Sequence, residues 1–395
     1  MILQTKKSKH EGATSSDFSF YEFFAGGGMA RAGLGEGWRC AFANDFDPAK
    51  VAVYRDNWGA DKMVQEDVNL ITTTALSGEV DLAWASFPCQ DLSLAGNYAG
   101  LGLPTSREQT RSGSFWPFWR LMRGLVEEGR SPRLIVLENV YGALSSNKGR
   151  DFAAISRALS DAGYHFGAMV IDARLFLPHS RQRLFVVAVR GDICIPADLQ
   201  ANGPTSAWHP PALREAFGIL QPKIRNRWVW WSLPVPAPHQ VRFADVIEEN
   251  PTGVKWHTRA ETSRLIAMMS PLNRAKLRAA KKSGRREVGG IYKRTRIVDG
   301  VKQQRAEVRF DDLAGCLRTP TGGSSRQTII VVDGPVVRSR LLSPREATRL
   351  MGLPDSYKLP ARYNDGYHLA GDGVAVPVVR HLAQYLIEPV LKFRN

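Results

Sequence analysis

Phe20-Tyr21-Glu22-Phe23-Phe24-Ala25-Gly26-Gly27-Gly28-Met29 joins an apolar run to three consecutive glycines and then to a helical pattern. Phe20 to Phe24 is predicted as a buried strand, with the helix beginning near Met29. Glycines directly after a strand permit positive φ and let the backbone come close to a ligand. The dehydrogenase fingerprint G-x-G-x-x-G fails here, because Arg31 stands in its third glycine position. Roughly 20 residues on, where such folds place a ribose-binding acid, Asp45 follows the next apolar run, Cys40 to Asn44, with Phe46 beside it. The acid is placed to bind ribose hydroxyls and the aromatic to stack on adenine. Asp67, followed by Val68, closes a further loop at the same edge. Together these features describe a site for a nucleoside cofactor without a diphosphate, and S-adenosyl-L-methionine fits that description.

Working outward, the first half alternates short apolar runs with amphipathic stretches, the pattern of β-α-β units and a parallel sheet. Further strands are predicted at Leu82 to Ser86, Leu134 to Leu137, His165 to Ile171 and Leu184 to Val189, and helices at Phe115 to Glu128 and Asp151 to Ala162. After Arg190 the texture changes to prolines and a Trp228, Trp230, Trp231 cluster, as expected of a second, less regular domain. Val374 to Leu391 returns to an apolar helical pattern that could pack back on the first domain. The 395 residues are 44% apolar, enough for sizeable cores, and no run reaches the ~18 apolar residues of a membrane helix. The polar start, with Lys6, Lys7 and Lys9, is not expected to be a signal peptide. The four cysteines form no C-x-x-C pair, which argues against a disulfide framework or a metal site.

The net charge is +15, and the excess is concentrated. Lys255 to Arg309 holds 16 basic residues and four acids, a net +12, including the pair Arg285-Arg286. A focused positive field of this kind points to a polyanion, most often nucleic acid.

Phe87-Pro88-Cys89-Gln90 follows the strand Leu82 to Ser86, putting a thiol where open α/β sheets bind ligands. Glu138-Asn139-Val140 ends the next strand and brings a carboxyl to the same edge. Pro178-His179-Ser180-Arg181-Gln182-Arg183 precedes another strand, and Arg181 and Arg183, two apart, are expected on one side of it. A thiol, a carboxyl and paired guanidiniums form a coherent nucleophile, acid and anion-holding set.

With these motifs in this order the chain resembles the DNA (cytosine-5) methyltransferases almost end to end. Leu341-Leu342-Ser343-Pro344-Arg345-Glu346 is similar to the motif opening that family's return from its recognition domain, and Gly371-Asp372-Gly373-Val374-Ala375-Val376 to its closing motif. Two departures are Asp372, commonly Asn, and His179, commonly Gln. The resemblance implies an S-adenosylmethionine-dependent methyltransferase, Rossmann-like α/β domain with a mostly parallel sheet, formed by 15–190 and 366–395. A smaller, irregular target-recognition domain would span 191–365. It implies catalytic roles for Cys89, Glu138, Arg181 and Arg183, with Arg183 at the cytosine carbonyl oxygen and Arg181 supporting it or a nearby phosphate. Cofactor-binding roles fall to Phe24, Ala25, Gly26, Gly28, Asp45, Phe46, Asp67, Val68, Pro88, Asp372 and Val374. DNA-binding roles fall to Gln90, Ser93, Arg107 and Arg111 in a closing loop, to Thr321, Gly322 and Gly323 in a recognition loop, and to Arg285 and Arg286. It further implies double-stranded DNA as partner, a base flipped out of the duplex, and a monomer in a bacterial cytoplasm beside the nucleoid, accompanied by a restriction endonuclease but not bound to it.

An adenine amino-methyltransferase would need a polar residue and an aromatic around Pro-Pro, and His209-Pro210-Pro211-Ala212 has neither. An RNA cytosine-5 methyltransferase of the same fold usually lacks so large a basic segment. A catalytically silent DNA-binding protein would not need Cys89, Glu138 and Arg183 together. No motif in 191–340 reveals which bases are recognised.

Overall fold

A computed structural model describes residues 17–88, 115–298, 300–317 and 326–393. Its centre is a seven-stranded sheet in the order β3-β2-β1-β4-β5-β7-β6. The strands are β1 (Phe18–Phe23), β2 (Trp38–Asp45), β3 (Met63–Gln65), β4 (Leu82–Ala85), β5 (Leu134–Val140), β6 (Tyr164–Asp172) and β7 (Gln182–Arg190). The first five are mutually parallel, but β7 runs antiparallel to both β5 and β6. The expected sheet is therefore parallel except for β7, whose N-terminus enters at the edge where β1, β4 and β5 end.

Alternation along each strand divides its side chains between two cores. Phe20, Leu82, Trp84 and Val136 face helices α1 (Met29–Leu34) and α2 (Pro48–Trp58) together with the C-terminal helices after Val376. Tyr21, Phe23, Ala83 and Leu137 face α3 (Phe115–Glu127) and α4 (Arg150–Asp161). Strands buried on both faces read as unbroken apolar runs, which is why the sequence exposes them so clearly. The C-terminal pattern does pack back: Arg380 donates to the Leu34 carbonyl at the end of α1, at 2.9 Å.

Residues 199–233, placed by sequence in the second domain, lie along β6 and hydrogen-bond to it. Val229 N–H donates to Phe166 O at 2.8 Å and Val170 N–H to Trp208 O at 2.9 Å. The tryptophan cluster is part of this layer, with the short pair β8 (Gln200–Ala201) and β9 (Trp230–Trp231). A separate four-stranded antiparallel sheet follows, ordered β11-β10-β12-β13. It consists of β10 (Arg286–Val298), β11 (Val301–Arg309), β12 (Thr328–Asp333) and β13 (Val336–Leu341). Ile330 and Val332 pack under helices Arg259–Ala267 and Pro271–Lys282, whereas Ile329 and Val331 join the core of the large sheet. The small sheet is thus anchored to the large one by one of its faces. Arg340, fully buried, forms a two-pronged ion pair with Glu346, which also accepts from Ser343 N–H at the start of helix Pro344–Arg349. That network fixes the return of the chain at Ser343-Pro344-Arg345-Glu346.

Candidate active site

A cleft opens at the C-terminal ends of β1, β2, β4 and β5, lined at one end by the glycine turn and at the other by Glu138, Arg181 and Arg183. Phe24, Gly26 and Gly28 all have positive φ, at 55°, 55° and 78°. Gly28 starts α1, and a Cβ there would fall 2.4 Å from the Trp58 Nε1. Gly26 faces open space, with nothing within 4 Å of where its Cβ would lie. The turn is clamped from behind, as the Gly27 carbonyl accepts from Trp58 Nε1 at 2.9 Å and from Tyr357 Oη at 2.7 Å.

Asp45 closes the floor. One carboxylate oxygen accepts from Gly26 N–H and the other from Asp47 N–H, both at 2.9 Å. Burial raises its pKa, opposed by the nearby Lys50 and by those N–H groups. Phe46 stands beside it at the rim, 66% exposed. Val68 is buried, and Asp67 accepts from Asn69 N–H at 2.8 Å at the cleft margin. Arg120 of α3, which the sequence did not single out, braces that loop by donating to the carbonyls of Asn69 and Ile71 at 3.1 and 2.9 Å.

At the other end Glu138 of β5 and Arg183 of β7 sit on neighbouring antiparallel strands, with Arg183 Nε 3.2 Å from Glu138 Oε1. Burial pushes the Glu138 pKa up, and Arg183 and then Arg181 push it back. Asn139 donates to the Phe87 carbonyl at 3.2 Å and so holds the segment that leads through Pro88 to Cys89. Cys89, Gln90, Ser93, Arg107 and Arg111 lie outside the described residues, as do Thr321, Gly322 and Gly323.

Arg181, expected to support the carbonyl-oxygen contact or a nearby phosphate, lies close enough to Glu138 to act on its pKa. It is only 2% exposed, precedes β7, and its guanidinium donates to the carbonyls of Gly371 and Gly373 at 2.8 and 2.6 Å. Two carbonyls at the end of helix Tyr363–Asp372 attract a cation there. Arg181 therefore ties the closing motif, with Asp372 and Val374, to the catalytic edge. Asp372 in turn pairs with Lys50 Nζ at 2.7 Å. His179 is buried between Leu350 O, 2.9 Å from Nδ1, and Leu317 N–H, 3.4 Å from Nε2. Burial, then Arg181, pushes its pKa down to about 3, so the ring is neutral.

Arg286, expected at DNA, donates to Ala244 O at 2.9 Å, at the carbonyl end of the short helix Phe243–Val246, and to Ile247 O at 3.4 Å. Arg285 pairs with Glu287 at 2.9 Å and remains largely exposed.

Comparison with known proteins agrees with this geometry. Residues 18–388 match the family described as C-5 cytosine-specific DNA methylase. The chain is 26% identical to Type II methyltransferase M.HpaII of Haemophilus parainfluenzae, over 94% of this chain and 89% of that protein. It is 27% identical to the DNA-cytosine methyltransferase of Escherichia coli strain K12, over 95% of this chain and 78% of that protein. In fold it resembles the Entamoeba histolytica methyltransferase EhMeth (TM-score 0.61, 15% identity, 95% of this chain and 99% of that one). The S. pombe Dnmt2 methyltransferase is similar in the same sense (TM-score 0.56, 17% identity, 95% of this chain and 100% of that one). With its glycine turn, its buried Glu138–Arg183 pair and a match along nearly its whole length, the chain belongs to the C-5 cytosine-specific DNA methylase family and is a DNA cytosine methyltransferase.

Proposed function

We propose that the protein flips a cytosine out of duplex DNA and methylates its carbon-5 through a transient bond to Cys89. The observation that carries this is the buried Glu138–Arg183 pair at the strand ends, beside the anchored segment that leads to Cys89. The residues around the turn suit S-adenosyl-L-methionine. Gly26 leaves room for a ligand against the backbone, the Asp45 oxygens retain lone pairs for two ribose hydroxyls, and Phe46 offers a bare ring for adenine. When bound there, the cofactor supplies an electrophilic methyl group.

Carbon-5 of cytosine is too weak a nucleophile to take that methyl unaided. The Cys89 thiolate attacks carbon-6, which breaks the aromaticity of the ring and makes carbon-5 enamine-like. Glu138 holds a proton at ring nitrogen 3 and draws electron density away as the sulfur–carbon bond forms. Arg183 steadies Glu138 and donates to the oxygen at carbon-2. After methyl transfer, water takes the carbon-5 proton, the electron pair of that bond restores the 5,6 double bond, and Cys89 leaves carbon-6 as thiolate. Because these atoms are inside the stack, the base leaves the duplex first, at a cost of a few kcal/mol. In this proposal 15–190 and 366–395 form the catalytic body, with the layer 199–233 lying along its β6, and the recognition domain is built on the four-stranded sheet.

Bisulfite sequencing of DNA from a host without its own cytosine methylation tests the proposal. Expression of the wild type should leave protected cytosines within one short sequence, and Cys89→Ala should leave none. Full conversion of every cytosine with well-expressed wild type would contradict it.

A further inference from the structure

The small sheet carries a part that its own packing does not use. β10 pairs with β12 only from Arg286 to Ile291, but its pairing with β11 continues to Val298 opposite Val301. From Tyr292 outward the two strands form a ribbon about 20 Å long at ~3.4 Å per residue, and among the described residues no further strand flanks it, the one lateral contact being a bridge from Ala306 at its base to Met269. Residues 293–297 and 301–304 are exposed. A sheet ordinarily shortens or shields such an edge.

Register assigns the faces. Arg294 lies opposite Arg305 and Arg296 opposite Gln303, so these four share a face with Tyr292 and Glu307. On β10 that face continues from Val288, which belongs to the core shared with the catalytic sheet, whereas Ile291 faces the helices behind. The Tyr292 hydroxyl packs on Gly315, where a Cβ would come within 1.9 Å of it. Cys316, next in the chain, lies 3.7 Å from Arg181 Nη1. The ribbon face thus extends outward from the catalytic side of the molecule. Glu307 accepts from Arg296 Nε at 2.7 Å and lies 3.4 Å from Arg294 Nε, so one carboxylate serves two guanidiniums and the face stays cationic. Lys293, Lys302 and Gln304 belong to the opposite face.

We propose that this ribbon enters the major groove of duplex DNA, where Arg296, Gln303 and Arg305 read base edges. A groove about 12 Å wide admits a two-stranded ribbon. Arginine matches the paired acceptors of guanine, and glutamine the acceptor and donor of adenine. Glu307 holds the arginines aligned along the ribbon before DNA arrives. Lys293 and Lys302, on the other face, neutralise phosphates. The inference rests on duplex DNA being the substrate and adds which element and which face choose the sequence.

The test uses the full chain to select duplexes from a randomised pool, with methylation of the same pool mapped in parallel. Wild type should enrich one sequence. Arg296→Ala/Gln303→Ala should lose about ten-fold or more in discrimination at one or more base positions, with an unchanged melting temperature because both sites are exposed. Lys293→Ala/Lys302→Ala should keep the sequence and flatten the slope of log affinity against log salt by up to ~1.8, about 0.9 per phosphate. An unchanged preference in the Arg296→Ala/Gln303→Ala protein, or no enrichment by wild type, would overturn the ribbon's role. Methylation of one sequence by both proteins would remove the ribbon and leave methyl transfer intact. Selection of a sequence without methylation, lost in the Arg296→Ala/Gln303→Ala protein, would do the reverse.

Discussion

His179 and Asp372 occupy positions where the family commonly has amides, and the surroundings of each explain the exchange. A neutral imidazole offers one donor and one acceptor, as a carboxamide does, and His179 uses both, between Leu350 O and Leu317 N–H. Asp372 would add an unpaired charge to the closing motif, and Lys50 at 2.7 Å compensates it. Lys50 was not legible as a partner, because 322 residues separate the two in the chain. Glu138 carries a sharper expectation. Glu138→Gln keeps the shape and the Arg183 contact but cannot supply a proton to ring nitrogen 3. The single-turnover rate should fall by about 10²–10⁴-fold, the usual range for a positioned acid or base, with cofactor affinity unchanged. A rate within a few-fold of wild type would remove Glu138 from the chemistry. Asp45→Ala should weaken S-adenosylmethionine binding in calorimetry by about ten- to hundred-fold, the loss of a charge-assisted hydrogen bond worth ~1.5–3 kcal/mol. DNA binding without cofactor should be nearly intact.

The glycine turn rests on β1, and Glu22 of that strand lies beneath it, buried, accepting from Arg31 N–H and Tyr54 Oη at 3.3 Å each. Burial raises its pKa from 4.5 to about 8, with Arg31 and Tyr54 opposing the shift and Asp45 adding to it. An acid whose folded pKa is raised binds its proton more tightly in the folded state, so its effect on stability worsens as pH rises from about 4.5 to about 8. Glu22→Gln keeps an acceptor for Arg31 and has no charge to bury. Its melting temperature should gain on wild type by several °C between pH 5 and pH 8, since a pKa unit is worth about 1.4 kcal/mol and a kcal/mol about 2–4 °C in domains of this size. Parallel melting curves across that range would contradict the shift. Six strands of the central sheet were legible because burial leaves apolar runs such as Leu82 to Ala85, whereas β3, three residues long with two of them exposed, carries no such run and was missed. α2 was missed although Asp47 caps it and Pro48 opens it, because its apolar residues show little one-sided periodicity. The antiparallel sheet was hidden for a different reason. Much of β10 and β11 is exposed and cationic, so no alternation marks them as strands.

Across the whole molecule, order of motifs carried more information than composition. Glu138 and Arg183, 45 positions apart in sequence, meet because β7 turns back antiparallel beside β5. The sequence put both at one sheet edge without that reversal. That the layer from 199 to 233 runs along β6 was not legible, because prolines and tryptophans signal irregularity, not which sheet they cover. The basic segment divides likewise, into arginines that hold the fold, such as Arg286, and those of the projecting ribbon. The proposed chemistry turns on a covalent step at Cys89, which fluorine would arrest. On 5-fluorocytosine the methyl group is accepted, but fluorine cannot leave carbon-5 as a proton does, so the sulfur–carbon bond persists. Duplexes carrying 5-fluorocytosine at the target site should give, with S-adenosylmethionine, a protein–DNA adduct that survives boiling in detergent and is absent with Cys89→Ala. An adduct that persists in Cys89→Ala, or none on a duplex whose unmodified form is methylated, would contradict attack by Cys89.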